Sequence, residues 1–177
     1  MNTMGAKITT TRIAVVGMIA AAYTVLVLVN AMFSYGMLQV RLAEALTLLP
    51  VLSPVAIWGV ALGCFVANLV GWLSGANPIG AIDTVFGTGA SVIAGILTYK
   101  LRGYRVNGIP ILSALSPVVV NAVIIGGQLS FVFHGAVFHP MFLTYGLWVG
   151  VGQVIACMFL GIPLLKALER KNLLSNL

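Results

Sequence analysis

The stretch QVRLAEALTLLP, residues 39–50, sets Arg41 and Glu44 three positions apart inside an apolar run. A guanidinium and a carboxylate at that spacing share one face of a helix. They can neutralise each other, which makes both charges tolerable near a membrane interface. They can also form the polar wall of a ligand pocket, because ionisable side chains in apolar spans face a bundle interior or a wet cavity. Asp83 is an acid with no cation near it in the sequence. It opens an apolar segment, where a carboxylate either caps a helix N-terminus or meets a ligand.

Catalytic chemistry finds little support in the residue types. There is no GxxxxGK[ST] loop to cradle phosphates, and no HExxH or GxSxG motif. GTGASV (87–92) begins like a dinucleotide fingerprint but lacks its third glycine. Gly87, Ser91 and Gly95 recur every four residues and read as a close helix-packing face. Intramembrane hydrolysis would need His134, His139 and Glu44 to act together, and no known spacing joins them. Cys64 and Cys157 lie in apolar stretches as small buried hydrophobes, with no disulfide framework or metal-ligand spacing. The expectation is a binding protein, not an enzyme, and no cofactor of its own.

The elements that must position these residues follow from composition. Of the 177 residues, 60% are hydrophobic and only 7% charged. Mean hydropathy is +1.11. A soluble domain carries roughly 25% charged residues, so this chain cannot clothe a water-facing surface and is an integral membrane protein. The net charge of +6 comes from basic residues flanking apolar spans. It implies a lipid bilayer as partner, and no nucleic acid.

A spanning helix needs about 20 apolar residues. The run 13–33 supplies the first, and it is longer than the roughly 7–15 residues of a leader's apolar core. Residues 45–82 carry no charge, too long a stretch for one helix, and Pro50, Ser53 and Pro54 break it. The breaks predict helices over 37–52, 55–73, 81–99, 109–129 and 141–165. We expect an all-α polytopic fold of six transmembrane helices, a single integral membrane domain over 1–177. Lys7 and Arg12, the cluster Lys100, Arg102 and Arg105, and Lys166, Arg170 and Lys171 are then separated by even numbers of crossings. All lie on one side, so the positive-inside rule puts both termini in the cytoplasm. Arg41 alone lies outside.

This topology gathers polar and aromatic groups in the outer half of the bundle. They are Asn30 and Tyr35, then Asn68, Trp72, Asn77 and Asp83, then Asn121, Gln128, His134 and His139, and finally Tyr145, Trp148 and Gln153. The tryptophans and tyrosines also suit an interfacial belt. The asparagines and glutamines need buried partners. The expected product is a cavity open to the outside, holding a small polar ligand. On the first helix, Ala14, Gly17 and Ala21, with Ala20 and Thr24, form a small-residue stripe. It either packs inside the bundle or lets another protein's backbone approach.

Four segments, VRLAEALTLLP (40–50), AIWGVALGCFVANLVG (56–71), IDTVFGTGA (82–90) and VGVGQVIACMFLGIPLLKAL (149–168), resemble the QueT family of queuosine-precursor transport proteins. These are substrate-binding S components of energy-coupling factor (ECF) transporters, which are ABC importers. The resemblance covers roughly residues 13 to 168. It implies a six-helix protein in a prokaryotic cell membrane with an outward pocket. It implies an ECF coupling transmembrane protein and two ATPase subunits as partners, with ATP hydrolysed only by the latter. Docking onto them would use Ala14, Gly17 and Ala21, with Gly17 standing where alanine is more usual, and the whole component would topple in the bilayer. The implied ligand is a 7-deazaguanine in nitrile or aminomethyl form. Asp83 or Glu44, the latter beside Arg41, would accept its paired N–H donors. Asn68, Asn121, Gln128 or Gln153 would serve its carbonyl, and Trp72 or Trp148 would stack on the base. The alternatives are an S component for another small vitamin, or a non-transporting structural subunit of a membrane complex.

Overall fold

The structure, a computed structural model, describes residues 10–35 and 40–171. Among these residues it is all-helical, with one isolated bridge between Val106 and Ile109. The helices are α1 (Thr10–Val29), α2 (Ala31–Ser34), a 3-10 helix (Leu42–Val51), α3 (Val55–Leu73), α4 (Ala81–Lys100) and α5 (Ile111–His134). The last rod is α6 (Met141–Val154), a π-helical segment (Ile155–Gly161) and α7 (Ile162–Arg170). Among the described residues, five helices are long and apolar enough to cross a membrane, counting Met141–Arg170 as one. Large apolar side chains point outward along them, among them Met18 at 69%, Leu143 at 75% and Phe159 at 71% exposure, a surface suited to lipid and not to water.

The expected spans 55–73, 81–99, 109–129 and 141–165 each correspond to an observed helix. The first differs at its end. Asn30 breaks the rod after Val29, and its amide donates to the Val40 carbonyl at 3.1 Å, pinning the returning chain.

The expected α-helix over 37–52 is corrected. Residues 37–39 lie outside the described residues, and Leu42–Val51 is a ten-residue 3-10 helix. Proline 50 has no N–H and would clash with the preceding α-turn. Thr47 Oγ1 donates to the Glu44 carbonyl at 2.6 Å, favouring tight i to i+3 geometry. Eight of the ten residues are buried, so packing on all sides holds a conformation that rarely runs this long. Arg41 is extended, at φ −91 and ψ 105, and is not on the helix. It therefore does not share a helical face with Glu44.

Glycines set the helix spacing. A Cβ on Gly59 would come within 2.7 Å of the Ile19 Cβ, and one on Gly63 within 2.6 Å of the Tyr23 Cβ. Further along, the Tyr35 hydroxyl donates to the Ala67 carbonyl at 2.6 Å. Contacts thus advance together along α1 and α3, and the two helices run parallel. The chain between them must return the length of the bundle, and the 3-10 helix lies on that return. It packs against α1, α3, α4, α5, α7 and the π-helical segment, so it is a central element. Gly87 and Gly95, on the expected packing face of α4, abut Asn68 and Ile57 of α3.

The opposite end of the bundle is basic. There Thr98 and Ser113 exchange hydroxyl-to-carbonyl bonds of 3.2 and 2.9 Å between α4 and α5. Arg105 reaches Glu169 on α7 at 2.6 Å, and this hydrogen bond raises the guanidinium's pKa. Asn107 and Gly108, both at positive φ, make the tight turn that carries Arg105.

Candidate ligand-binding centre

Asp83 is fully buried in the first turn of α4. It does not cap that helix, because the N-cap is Gly80, without a side-chain bond. Its carboxylate gathers donors from three other parts of the chain. Arg41 donates to Oδ2 at 2.8 Å, Asn77 to Oδ2 at 2.9 Å and Gln128 of α5 to Oδ1 at 3.2 Å. Asn68 of α3 donates to the Asp83 carbonyl at 3.1 Å. Arg41 adds a bond to the Ser34 carbonyl at 3.0 Å and lies 5.5 Å from the centroid of the Tyr35 ring. Asp83, expected to lack a cation, thus has Arg41 as its partner.

Glu44 is left without a cation, since neither ion pair among the described residues involves it. Tyr23 of α1 donates to its Oε1 at 2.6 Å, while Oε2 has no partner. Gln153 lies against the same carboxylate. Cys157, in the π-helical segment, holds the Glu44 carbonyl at 3.6 Å and the Gln153 Oε1 at 3.7 Å. The π-helical segment is packed against the 3-10 helix, and Gly161 permits this because a Cβ there would meet the Leu48 side chain at 2.8 Å. Two irregular helical segments therefore meet at Glu44, and π-helical turns within α-helices are frequent at functional sites.

The fold thus collects Arg41, Glu44, Asn68, Asp83, Gln128 and Gln153 into one buried polar region, with Asn121 two turns below Gln128 on α5. Among the described residues, five buried side-chain atoms lack partners: Ser34 Oγ, Glu44 Oε2, Asn68 Oδ1 and Gln128 Oε1 within this network, and Asn121 Nδ2 two turns along α5. A buried unpaired polar atom costs about 1–3 kcal/mol, so such a concentration marks a place where ligand or water completes the bonding. Trp72 and Trp148 lie outside this region, at 45% and 47% exposure. His134 and His139 stack on each other at 4.2 Å near the outer loop, with the His134 Nε2 at 3.2 Å from the Tyr145 hydroxyl, and do not join Glu44.

Sequence reasoning missed Tyr23, Ser34 and Cys157 as members of the centre, and gave Asn77, which bonds Asp83, no ligand role. The signal for Tyr23 is its place in the row Ile19, Tyr23 and Val27, the buried face of α1. The small-residue stripe divides as the helix turns. Ala20 is buried and Thr24 bonds the Gly63 carbonyl at 3.2 Å, whereas Ala14, Gly17 and Ala21 are exposed. Nothing lies within 4 Å of a Cβ built on Gly17.

No curated protein and no solved structure matches this chain. A family model does, that of the QueT transporter, over residues 13–170. The match takes in every residue of the polar centre and the membrane-length helices, the first of them from residue 13 on. A bundle of apolar helices around an incompletely bonded polar interior is what a carrier needs, and the chain belongs to the QueT transporter family, as a membrane transport protein and not an enzyme.

Proposed function

We propose that this chain is the substrate-binding S component of an ECF-type ABC importer, capturing a 7-deazaguanine precursor of queuosine from outside a prokaryotic cell. The observation that carries the reading is the buried centre around Asp83 and Glu44, with unpartnered atoms on Ser34, Glu44, Asn68 and Gln128. It lies at the end of the bundle opposite the Lys100–Arg105 loop, since Asp83 opens α4 and Lys100 closes it. The positive-inside rule assigns that basic end to the cytoplasm, which turns the polar centre outward. Six crossings follow if the return between parallel α1 and α3 passes through the bilayer. The exposed Ala14, Gly17 and Ala21 suit docking onto a coupling membrane protein, whose two ATPase partners would hydrolyse the ATP.

The test is a calorimetric titration of the purified protein in nanodiscs with 7-cyano- and 7-aminomethyl-7-deazaguanine, guanine and a panel of vitamins. Saturable binding of a deazaguanine is the expected result. Binding of a vitamin alone would make the chain an S component for that vitamin. Binding of none would leave a structural subunit.

A further inference from the structure

The unpartnered atoms of the centre are not evenly divided between donors and acceptors. Glu44 Oε2, Asn68 Oδ1 and Gln128 Oε1 are acceptors, Asn121 Nδ2 is a donor, and the Ser34 hydroxyl is either. The amide orientations of Asn68 and Gln128 follow from their partner. Their NH2 groups face the carbonyl and carboxylate oxygens of Asp83, which only accept. Their carbonyl oxygens are thereby left over. The charges are also uneven, because Arg41 and Asp83 pair with each other and Glu44 has no cation.

We infer that Glu44, and not Asp83, is the specificity-determining acid, and that it selects a ligand carrying a cationic donor group over a neutral one of the same shape. This rests on the deazaguanine reading above. Asp83 already accepts three side-chain donors and is fully buried among them, so its carboxylate is committed to holding the elements together. Glu44 presents one bonded and one open oxygen. An ammonium brings N–H donors and a positive charge to that open oxygen, and a charge-assisted bond is the strong kind. A nitrile brings only an acceptor, which finds no counterpart among Glu44 Oε2, Asn68 Oδ1 and Gln128 Oε1. The unpartnered donors, the Ser34 hydroxyl and, two turns along α5 from Gln128, Asn121 Nδ2, suit ring acceptors common to both ligands.

The experiment compares 7-aminomethyl- with 7-cyano-7-deazaguanine by calorimetry on the wild type, Glu44→Gln and Tyr23→Phe. The wild type should bind the aminomethyl form about 30-fold or more tightly than the nitrile. Glu44→Gln should bring the two affinities together, chiefly by weakening the aminomethyl form. Tyr23→Phe keeps the carboxylate and should keep the preference. Equal affinities in the wild type, or a preference for the nitrile, would overturn the inference while leaving the deazaguanine reading intact, and a preference surviving in Glu44→Gln would do the same. Binding of neither compound would overturn the reading and the inference with it. The wild-type comparison decides even where Glu44→Gln does not fold.

Discussion

Arg41 donates to Asp83 at 2.8 Å across 42 positions of sequence, although Glu44 stands three residues away. The choice follows from local backbone. Arg41 is extended while Glu44 lies in the first turn of the 3-10 helix. The guanidinium is thereby free to meet Asp83 at the start of α4, where Asn77 and Gln128 converge on the same carboxylate. The buried pair thus ties the 3-10 helix to α4.

Removing one partner of that pair leaves an uncompensated buried charge. Arg41→Gln or Asp83→Asn should each lower stability by about 3–5 kcal/mol. Replacing both with apolar residues of similar volume should cost less than the sum. Unfolding of the four proteins in detergent gives the coupling energy. Additive losses, or a larger coupling in the matching Arg41 and Glu44 cycle, would contradict the observed pairing.

Tyr23→Phe removes the 2.6 Å bond that the Tyr23 hydroxyl donates to Glu44 Oε1. With Oε2 already unpartnered, the loss should be about 1–3 kcal/mol. A melting temperature equal to that of the wild type would show that this hydroxyl is not the partner.

Two glycines on neighbouring helices should respond oppositely to size. Gly17→Leu adds bulk where nothing lies within 4 Å, so stability and ligand binding should stay near the wild type. Uptake in cells should be lost, because two backbones can no longer approach. Gly63→Leu drives a side chain into Tyr23 and the Ala20 carbonyl and should prevent folding. Normal uptake with Gly17→Leu would mean that this face meets only lipid.

Orientation is checked with single cysteines. Ala76 and Ala136 are exposed at the polar end and Gly103 at the basic end. Asn77 is unsuitable because it is buried against Asp83. An impermeant maleimide should label Ala76→Cys and Ala136→Cys from outside the cell, and Gly103→Cys only after lysis. Labelling of position 103 in intact cells would invert the topology.

The Arg105–Glu169 pair is partly exposed, with side chains at 35% and 27%. Glu169→Gln should therefore cost less than about 1 kcal/mol, and the difference should shrink in high salt. A larger, salt-independent loss would point to a buried role for this link between the α4–α5 loop and α7.

The place of Tyr23, Ser34 and Cys157 in the centre was not legible in the sequence, whereas the membrane class, four of the spans and the burial of the asparagines and glutamines were. Each rests on a property carried by residue type alone. Too few charges for a water-facing surface dictate a bilayer, proline clusters interrupt helices, and buried asparagines and glutamines require partners. Gly87, Ser91 and Gly95 were read correctly as a packing face because helical periodicity is local. The spacing of Ala14, Gly17, Ala20, Ala21 and Thr24 left open which of them face outward. Only packing against α3 divided them, burying Ala20 and leaving Gly17 bare. The spacing of Arg41 and Glu44 suggested a shared helical face, but an extended residue before a 3-10 helix has no such face. Which acid received the guanidinium was decided by where α4 begins in space, a consequence of the long-range packing of five helices. The same packing left Glu44 with an open oxygen, because Tyr23 is the one donor that α1 brings within reach.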